Sequence, residues 1–404
     1  MNKRKPELVA PAGDWPALVT AVDSGADSVY FGVKGLNMRN FAGNFDVLEL
    51  KKIMDFLHKR KKKGYLALNV IIKNKELNKV ERILRQAKSA RVDAVVLWDM
   101  AVLSLAKKLK LKIHLSTQAS VSNIKALSFY AQLGVKRIIL ARECTLCDIQ
   151  QMLKFMRQKR IQCEIETFIH GAMCISISGR CFLSGYTSGK SANRGECLQY
   201  CRREFSIYDQ EQEAEYVLGK DYILSAKDLC TIDFIDKLIE SGISAFKIEG
   251  RRRSPEYIKI VTSVYRKAID AFYDRNLNDT LKKSYKKQLR RVFNRGFSSG
   301  FYLGYPDNSV SRKTGHSYEK IFLGEVKKFF KKINVAEILM QNAPLEKGEQ
   351  LLFVGNKTPA CIACADQIQQ NHKFVEIVNK GELAGVKLPF IVKPKDKVFF
   401  WRKK

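Results

Sequence analysis

The sequence predicts an α/β fold: a (β/α)8 TIM-like barrel with a cysteine-rich insertion, followed by a small C-terminal β-barrel domain. Three observations predict it. Strand-like and helix-like segments alternate through the first 250 residues. A Gly- and Ser-rich stretch with four cysteines interrupts the series after its seventh strand. Beyond residue 318 the helical period gives way to short β-rich runs separated by turns.

The first strand is expected at 7–11 and its helix at 15–23. A recurring unit follows, in which a helix ends at Gly or a small residue and a run rich in Val, Ile and Leu begins. It places strands within 24–32, 92–98, 133–140 and 241–248, while 65–71, 112–117 and 162–169 complete a set of eight. Helical patterns at 48–62, 77–89, 100–109, 123–132 and 146–159 lie between them. Strands apolar on both faces fit burial beneath helices, and eight such units suit a closed barrel better than an open sheet. The expected limits are a barrel over 1–305, with an insertion at 171–224 and basic helices at 254–295, where Ser254 and Pro255 form a helix start. A linker at 306–317 and an all-β domain at 318–404 follow, the latter with strands at 320–328, 334–340, 350–354, 373–379 and 396–402.

Four cysteines, Cys174, Cys181, Cys197 and Cys201, are spaced C-x6-C-x15-C-x3-C beside turn residues. Four thiolates in a loop suit one soft metal centre, an iron–sulfur cluster or a tetrahedral zinc, with unligated thiols as the remaining reading. The long spacings argue against zinc knuckles, which use two short pairs. The pairs Cys144/Cys147 and Cys361/Cys364 read as small buried hydrophobes. The N-terminus shows no apolar export segment, and no stretch is long enough to span a bilayer, so a cytoplasmic protein with reduced thiols and no membrane contact is expected.

Lys and Arg number 72 against 41 Asp and Glu, a net charge of +31 that implies a polyanionic partner. Residues 251–295 carry 14 basic and 4 acidic residues. Arg252, Arg253, Lys282, Lys283, Lys286, Lys287, Arg290 and Arg291 recur there at helical spacing among Tyr257, Tyr265, Tyr273 and Tyr285, as an RNA-binding face would.

If the barrel forms, the C-terminal ends of its strands build one mouth. The polar residues expected there are Asn69, Asp99, Ser116, Thr117, Gln118, Arg142, Glu143, Glu166 with His170, and Lys247, Glu249 and Arg251. Glu166 and His170 are candidates for moving protons, and Lys247 and Arg251 for binding an anion. No P-loop, dinucleotide fingerprint or H-E-x-x-H motif competes.

The segments Glu166–Cys174, Gly179–Ser184, Asn193–Arg202, Lys247–Arg251, Ser254–Tyr257 and Phe293–Gly300, with Leu8–Gly13 at the start, resemble the signature of the peptidase U32 family, once called collagenase-like proteases. The resemblance spans nearly the whole chain, and the C-terminal β-domain resembles a module of members acting on tRNA. It implies an oxygen-independent hydroxylase with a 4Fe-4S cluster held by Cys174, Cys181, Cys197 and Cys201. Cys230 is an alternative fourth ligand to Cys201. The tRNA branch makes 5-hydroxyuridine at the wobble position and draws on prephenate, while relatives hydroxylate a ribosomal RNA cytidine or a quinone precursor. The charge favours the nucleic-acid branch, with tRNA as partner, a small carboxylate as co-substrate and an electron donor left unnamed. A U32 peptidase and an RNA-binding assembly factor are the other readings.

Overall fold

A computed structural model describes residues 5–203, 205–218, 225–305 and 316–404. Eight parallel strands close into a barrel. They are β1 (Glu7–Ala12), β2 (Ser28–Gly32), β3 (Lys63–Ala67), β4 (Ala94–Leu97), β5 (Ile113–Leu115), β6 (Arg137–Ile139), β7 (Glu164–Gly171) and an eighth, Ala245–Ile248. The eighth pairs with both β7 and β1, which shuts the sheet. Helices α1 (Trp15–Asp23), α2 (Leu50–His58), α3 (Leu77–Ser89), α4 (Met100–Lys108), α5 (Ile124–Gln132) and α6 (Leu146–Gln158) follow the first six strands in turn.

Polar side chains start several of these helices. Asp14, Asp99 and Asn123 accept backbone N–H bonds at the heads of α1, α4 and α5, and Thr145 with Asp148 forms a capping box at α6. Asp99, expected in the mouth, is therefore a helix cap: β4 ends at Leu97 and the chain turns at once into α4.

One irregularity decides the site. Ala245, Phe246 and Lys247 pair with Glu166, Thr167 and Phe168, but Ile248 pairs with His170. The extra residue on β7 is a bulge, and it breaks the period-two alternation that would have sent Glu166, Phe168 and His170 the same way. Strand Asp228–Cys230 returns antiparallel along the end of β7, with Cys230 opposite His170, and Phe297–Ser298 pairs with that strand. Helix Ile235–Ser241 precedes the eighth strand, and helices Pro255–Tyr273 and Asp279–Leu289 follow it.

The C-terminal region is built on an antiparallel sheet of eight strands, ordered Cys361–Cys364, Gln350–Val354, Lys397–Lys403, Tyr318–Phe330, Val335–Met340, Leu383–Lys387, Ile368–Gln370 and Lys373–Val375, with Leu345–Glu346 and Ile377–Val378 as a separate two-stranded pair. Its two edge strands do not pair with each other among the described residues, so the expected small β-barrel takes the form of a half-barrel. Every expected strand window holds a strand. Cys361–Cys364, Ile368–Gln370 and Leu383–Lys387 were missed because runs of three to five residues with Ala, Gly or Gln show no clear alternation. The sheet has its own core around Leu323, Ile338, Phe353 and Phe400, yet Leu352, Ala360 and Trp401 join the barrel's core. Ala360 N–H donates to Thr20 Oγ1 at 2.9 Å, and Lys320 meets Glu256 at 3.1 Å. Most of the expected linker, 306–315, lies outside the described residues, as do 204 and 219–224 of the insertion. Among the described residues no helix is long and apolar enough to cross a membrane.

Candidate active site

At the C-terminal end of the strands lies a cavity of about 140 Å³. The barrel contributes Tyr30, Asn69, Ser116, Thr117, Gln118, Arg142, Phe168, Lys247, Glu249 and Arg251 to its wall, and the loop after β2 contributes Met38 and Arg39. The insertion supplies Cys174, Cys181, Cys197 and Cys201, so all four thiols of the sequence motif face the same space as the barrel's charges. The volume is below the roughly 300–1,000 Å³ of sites for drug-sized ligands, which suits a small molecule rather than a peptide.

The insertion is fastened by specific contacts. Arg202 donates to the Met173 and Ala226 carbonyls, Asn193 Oδ1 accepts from Cys181 N–H at 3.0 Å, and Arg194 pairs with Glu76 at 2.6 Å. Gly195, at φ +86°, packs so closely that an added Cβ would lie 2.1 Å from the Asn37 carbonyl oxygen. Gly171, at φ +110°, is equally confined by the Glu249 backbone. Cys174, Cys181, Cys197 and Cys201 are free thiols, and Leu183 N–H points at Cys181 Sγ at 3.4 Å, the kind of contact that stabilises a cluster thiolate. Burial raises the Cys201 thiol, opposed by Arg202 and reinforced by Cys174, Cys197 and Cys181. Among the described residues no three His, Cys, Asp or Glu side chains converge on one ion's coordination shell. Four thiols lining one cavity are a soft donor set of the kind an iron–sulfur cluster takes. Cys230 does not belong to the set. It is buried on the strand beside β7, accepts from Tyr265 O–H at 3.8 Å, and its thiol is pushed up to about 11 by burial.

Three cations crowd one carboxylate. Arg39 and Arg142 approach Glu249 at 3.2 and 3.9 Å, and Arg251 stands nearby, bonded to Asn37 at 3.0 Å. Burial would raise the Glu249 carboxyl, but Arg39, Arg142 and Arg251 together hold it below the usual carboxylate range. Burial lowers Arg251 to about 10 and also lowers Arg142. The Nε atoms of Arg142 and Arg251 are buried without a hydrogen-bond partner. Such donors are costly to leave unpaired, and their natural complement is an anion in the cavity. Lys247 Nζ lies 4.1 Å over the Tyr30 ring and 2.7 Å from Glu166 Oε1.

Several expected residues are elsewhere. Glu166 is fully buried beneath the cavity floor, bridging Lys247 and Arg137. His170, turned outward by the bulge, sits 3.3 Å from Tyr265 O–H amid Tyr257 and Phe297. Burial, and then Arg253, drops its imidazole to about 3, so it is a neutral core residue and not a proton shuttle in the mouth. Glu143 does not line the cavity. Of the basic residues, Lys282 and Lys286 pair at 2.6 Å with Asp236 and Asp233 and hold helix Asp279–Leu289 against the segment 232–241, and Arg253 pairs with Asp228 at 3.5 Å and ties the loop after the eighth strand to strand Asp228–Cys230. Lys283, Lys287, Arg290 and Arg291 are exposed, and Arg252 stands at the cavity rim near the Cys197 carbonyl. Tyr257, Tyr265 and Tyr285 face the core, not a basic surface. Of the two cysteine pairs expected as small buried hydrophobes, only Cys144 is buried; Cys147 is exposed, and Cys361 and Cys364 are half-buried on an edge strand.

Arg39 and Tyr30 were missed. The signal existed: the loop after any barrel strand must reach the mouth, and 33–45 is such a loop.

The family model for peptidase family U32 matches residues 13–312. A protein of Methanocaldococcus jannaschii named as an uncharacterized protease is 40% identical over 97% of each chain. A Porphyromonas gingivalis protein named collagenase is 34% identical over 100% of each. A Bacillus subtilis protein named tRNA hydroxylation protein P1 is 34% identical over 87% of this chain and 84% of its own. A barrel closed by its eighth strand, the cysteine insertion over its mouth and a model match across three quarters of the chain agree, and the chain belongs to the peptidase U32 family.

Proposed function

We propose that this chain is a cytoplasmic iron–sulfur-dependent RNA hydroxylase forming 5-hydroxyuridine at the tRNA wobble position, with a small carboxylate such as prephenate as co-substrate. One observation carries the reading: four cysteines and two guanidinium groups with unpartnered Nε donors share one small cavity at the mouth of the barrel. Cys174, Cys181, Cys197 and Cys201 would hold a 4Fe-4S cluster, which supplies one-electron chemistry there when bound. Arg142 and Arg251 would take the carboxylate, and Arg251 suits bidentate contact. Glu249 keeps Arg39 and Arg142 aligned. Glu166 acts through Lys247: it fixes the ammonium at the cavity wall. A base flipped from an RNA loop would enter from the rim beside Arg252. The relatives named for tRNA hydroxylation, and the net charge of +31, support RNA as the substrate class.

The names of other relatives favour a second reading, proteolysis. No histidine lines the cavity among the described residues, and the four thiols have no imidazole base beside them there.

Nucleoside mass spectrometry tests the proposal. A strain lacking the protein should lose 5-hydroxyuridine from its tRNA. Unchanged tRNA with loss of 5-hydroxycytidine from ribosomal RNA would move the activity to that substrate, and no change in either would return the peptidase or assembly-factor reading. Cys174→Ala and Cys181→Ala should each lose most bound iron after anaerobic purification, whereas Cys144→Ala, Cys230→Ala and Cys361→Ala should keep it.

A further inference from the structure

The outer face of the C-terminal sheet combines features that neither its core nor the barrel mouth uses. Strand registers align Lys328, Glu337, Gly385, Gln369 and Phe374 in one cross-strand row. The next row toward the hairpin turn places Phe330 beside Val335 and Lys387. The inner partners of these strands, Ala336, Ile338, Ala384 and Val386, are fully buried, which fixes the two rows on the opposite face. Phe374 is 69% exposed and Phe330 37% exposed.

Two aromatic rings left in water on a sheet face are costly unless something covers them. Charge says what does. Lys328 and Lys387 lie in the two rows and Lys331 and Lys332 in the adjoining turn, with Glu337 as the single acid in the two rows, and Lys328 Nζ lies 4.9 Å over the Phe330 ring. Gly385 adds no side chain in the middle of its row, where Val335 Cγ1 and Gln369 Cβ stand 3.3 and 3.6 Å from the position a Cβ would take, so the face between the rings is low. Four strand spacings of about 4.8 Å separate Phe330 from Phe374, roughly 19 Å in all. That leaves room for several stacked or splayed nucleotides between them. Unpaired bases stack on aromatic side chains of open sheets while lysines take the phosphates.

We propose that this face binds unpaired nucleotides of RNA, stacking bases on Phe330 and Phe374. The site is separate from the mouth. Strand Tyr318–Phe330 starts against the barrel, where Ser317 N–H donates to the Arg290 carbonyl, and Phe330 stands at its far end, a contour of roughly 40 Å at about 3.3 Å per residue. The inference rests on RNA being the substrate class. It adds that the RNA must be large enough to present a loop or an end to the sheet while another part occupies the mouth.

The test compares full-length tRNA with an isolated anticodon stem-loop on the intact chain. Phe330→Ala and Phe374→Ala should each weaken binding of the full-length tRNA about tenfold and leave stem-loop binding unchanged. The double variant Lys331→Ala/Lys332→Ala should lower the salt slope of full-length binding by about one per lysine, which the phenylalanine variants should not do. All four side chains are at least a third exposed or lie in the turn, so the variants should fold, and thermal melting checks this. Phenylalanine variants that bind full-length tRNA as tightly as the parent overturn the inference and leave the proposed function standing. A parent that binds neither RNA overturns the functional reading itself, and the sheet face falls with it. A parent dimer that Phe330→Ala converts to monomer, with RNA affinity intact, would assign the face to a second copy of the chain and overturn the RNA assignment.

Discussion

Arg137 and Arg251 lie at opposite ends of one barrel interior, and both are nearly fully buried. Arg137, at the N-terminal end, bonds to Glu7, Glu164 and Glu166 at 2.5–3.1 Å, and Tyr65 and Lys63 complete the network on Glu7. Its guanidinium is held well above its ordinary range by those carboxylates in spite of burial. Arg251, at the mouth, has one bond to Asn37 and an unpartnered Nε. The floor even has the larger hollow, about 460 Å³ against about 140 Å³, but its buried charges are matched within the protein. A buried cation whose donors are all used is scaffold, whereas one with a spare donor marks where a ligand belongs.

The strongest way to break this contrast is to truncate both residues. Arg137→Ala strands Glu7 and Glu166 without their cation and should cost about 3–5 kcal/mol in denaturant unfolding. Arg251→Ala should stay within about 1 kcal/mol of the parent while abolishing modification of tRNA. Equal losses of stability in the two variants would erase the distinction between floor and mouth.

Acidification probes the outward face of β7. An ordinary imidazole titrates near 6.5 and folded His170 near 3. Between those values the unfolded chain takes up a proton that the folded chain refuses. Stability contributed by the neutral imidazole is therefore present above pH 6.5 and is lost as pH falls toward 3, at up to about 1.4 kcal/mol per pH unit. His170→Gln keeps a partner for Tyr265 but does not titrate, so its stability should fall less steeply across that window. A slope identical to the parent's would show that His170 is not the buried neutral group described, whereas loss of modification with intact iron would return it to the chemistry.

The smallest effects separate neighbours on one helix. Lys282→Ala should cost about 1–2 kcal/mol, because its bond to Asp236 is shielded, and leave RNA affinity alone. Lys283→Ala should leave stability unchanged and reduce the salt slope of tRNA binding by about one. The reverse pattern would put the basic face on the other side of helix Asp279–Leu289.

The sequence alone determined whatever depends on local periodicity and composition. Alternating strands and helices dictated a closed barrel, because such strands must be covered on both faces. The spacing of Cys174, Cys181, Cys197 and Cys201 picked out the loop whose four thiols line the barrel mouth, and composition set the net charge at +31. Only the tertiary structure decided which polar side chains meet. Glu7 and Arg137 are 130 residues apart and Lys247 and Glu166 are 81 apart, and no local pattern records that they neutralise each other. Strict alternation put His170 in the mouth, but a single extra residue against Lys247 and Ile248 turned it into the core. Helical spacing put Lys282 and Lys283 on one basic surface, yet one reached Asp236 and the other reached water. Local geometry fixes where a side chain starts, and the free energy of a buried charge depends on what distant part of the chain arrives beside it.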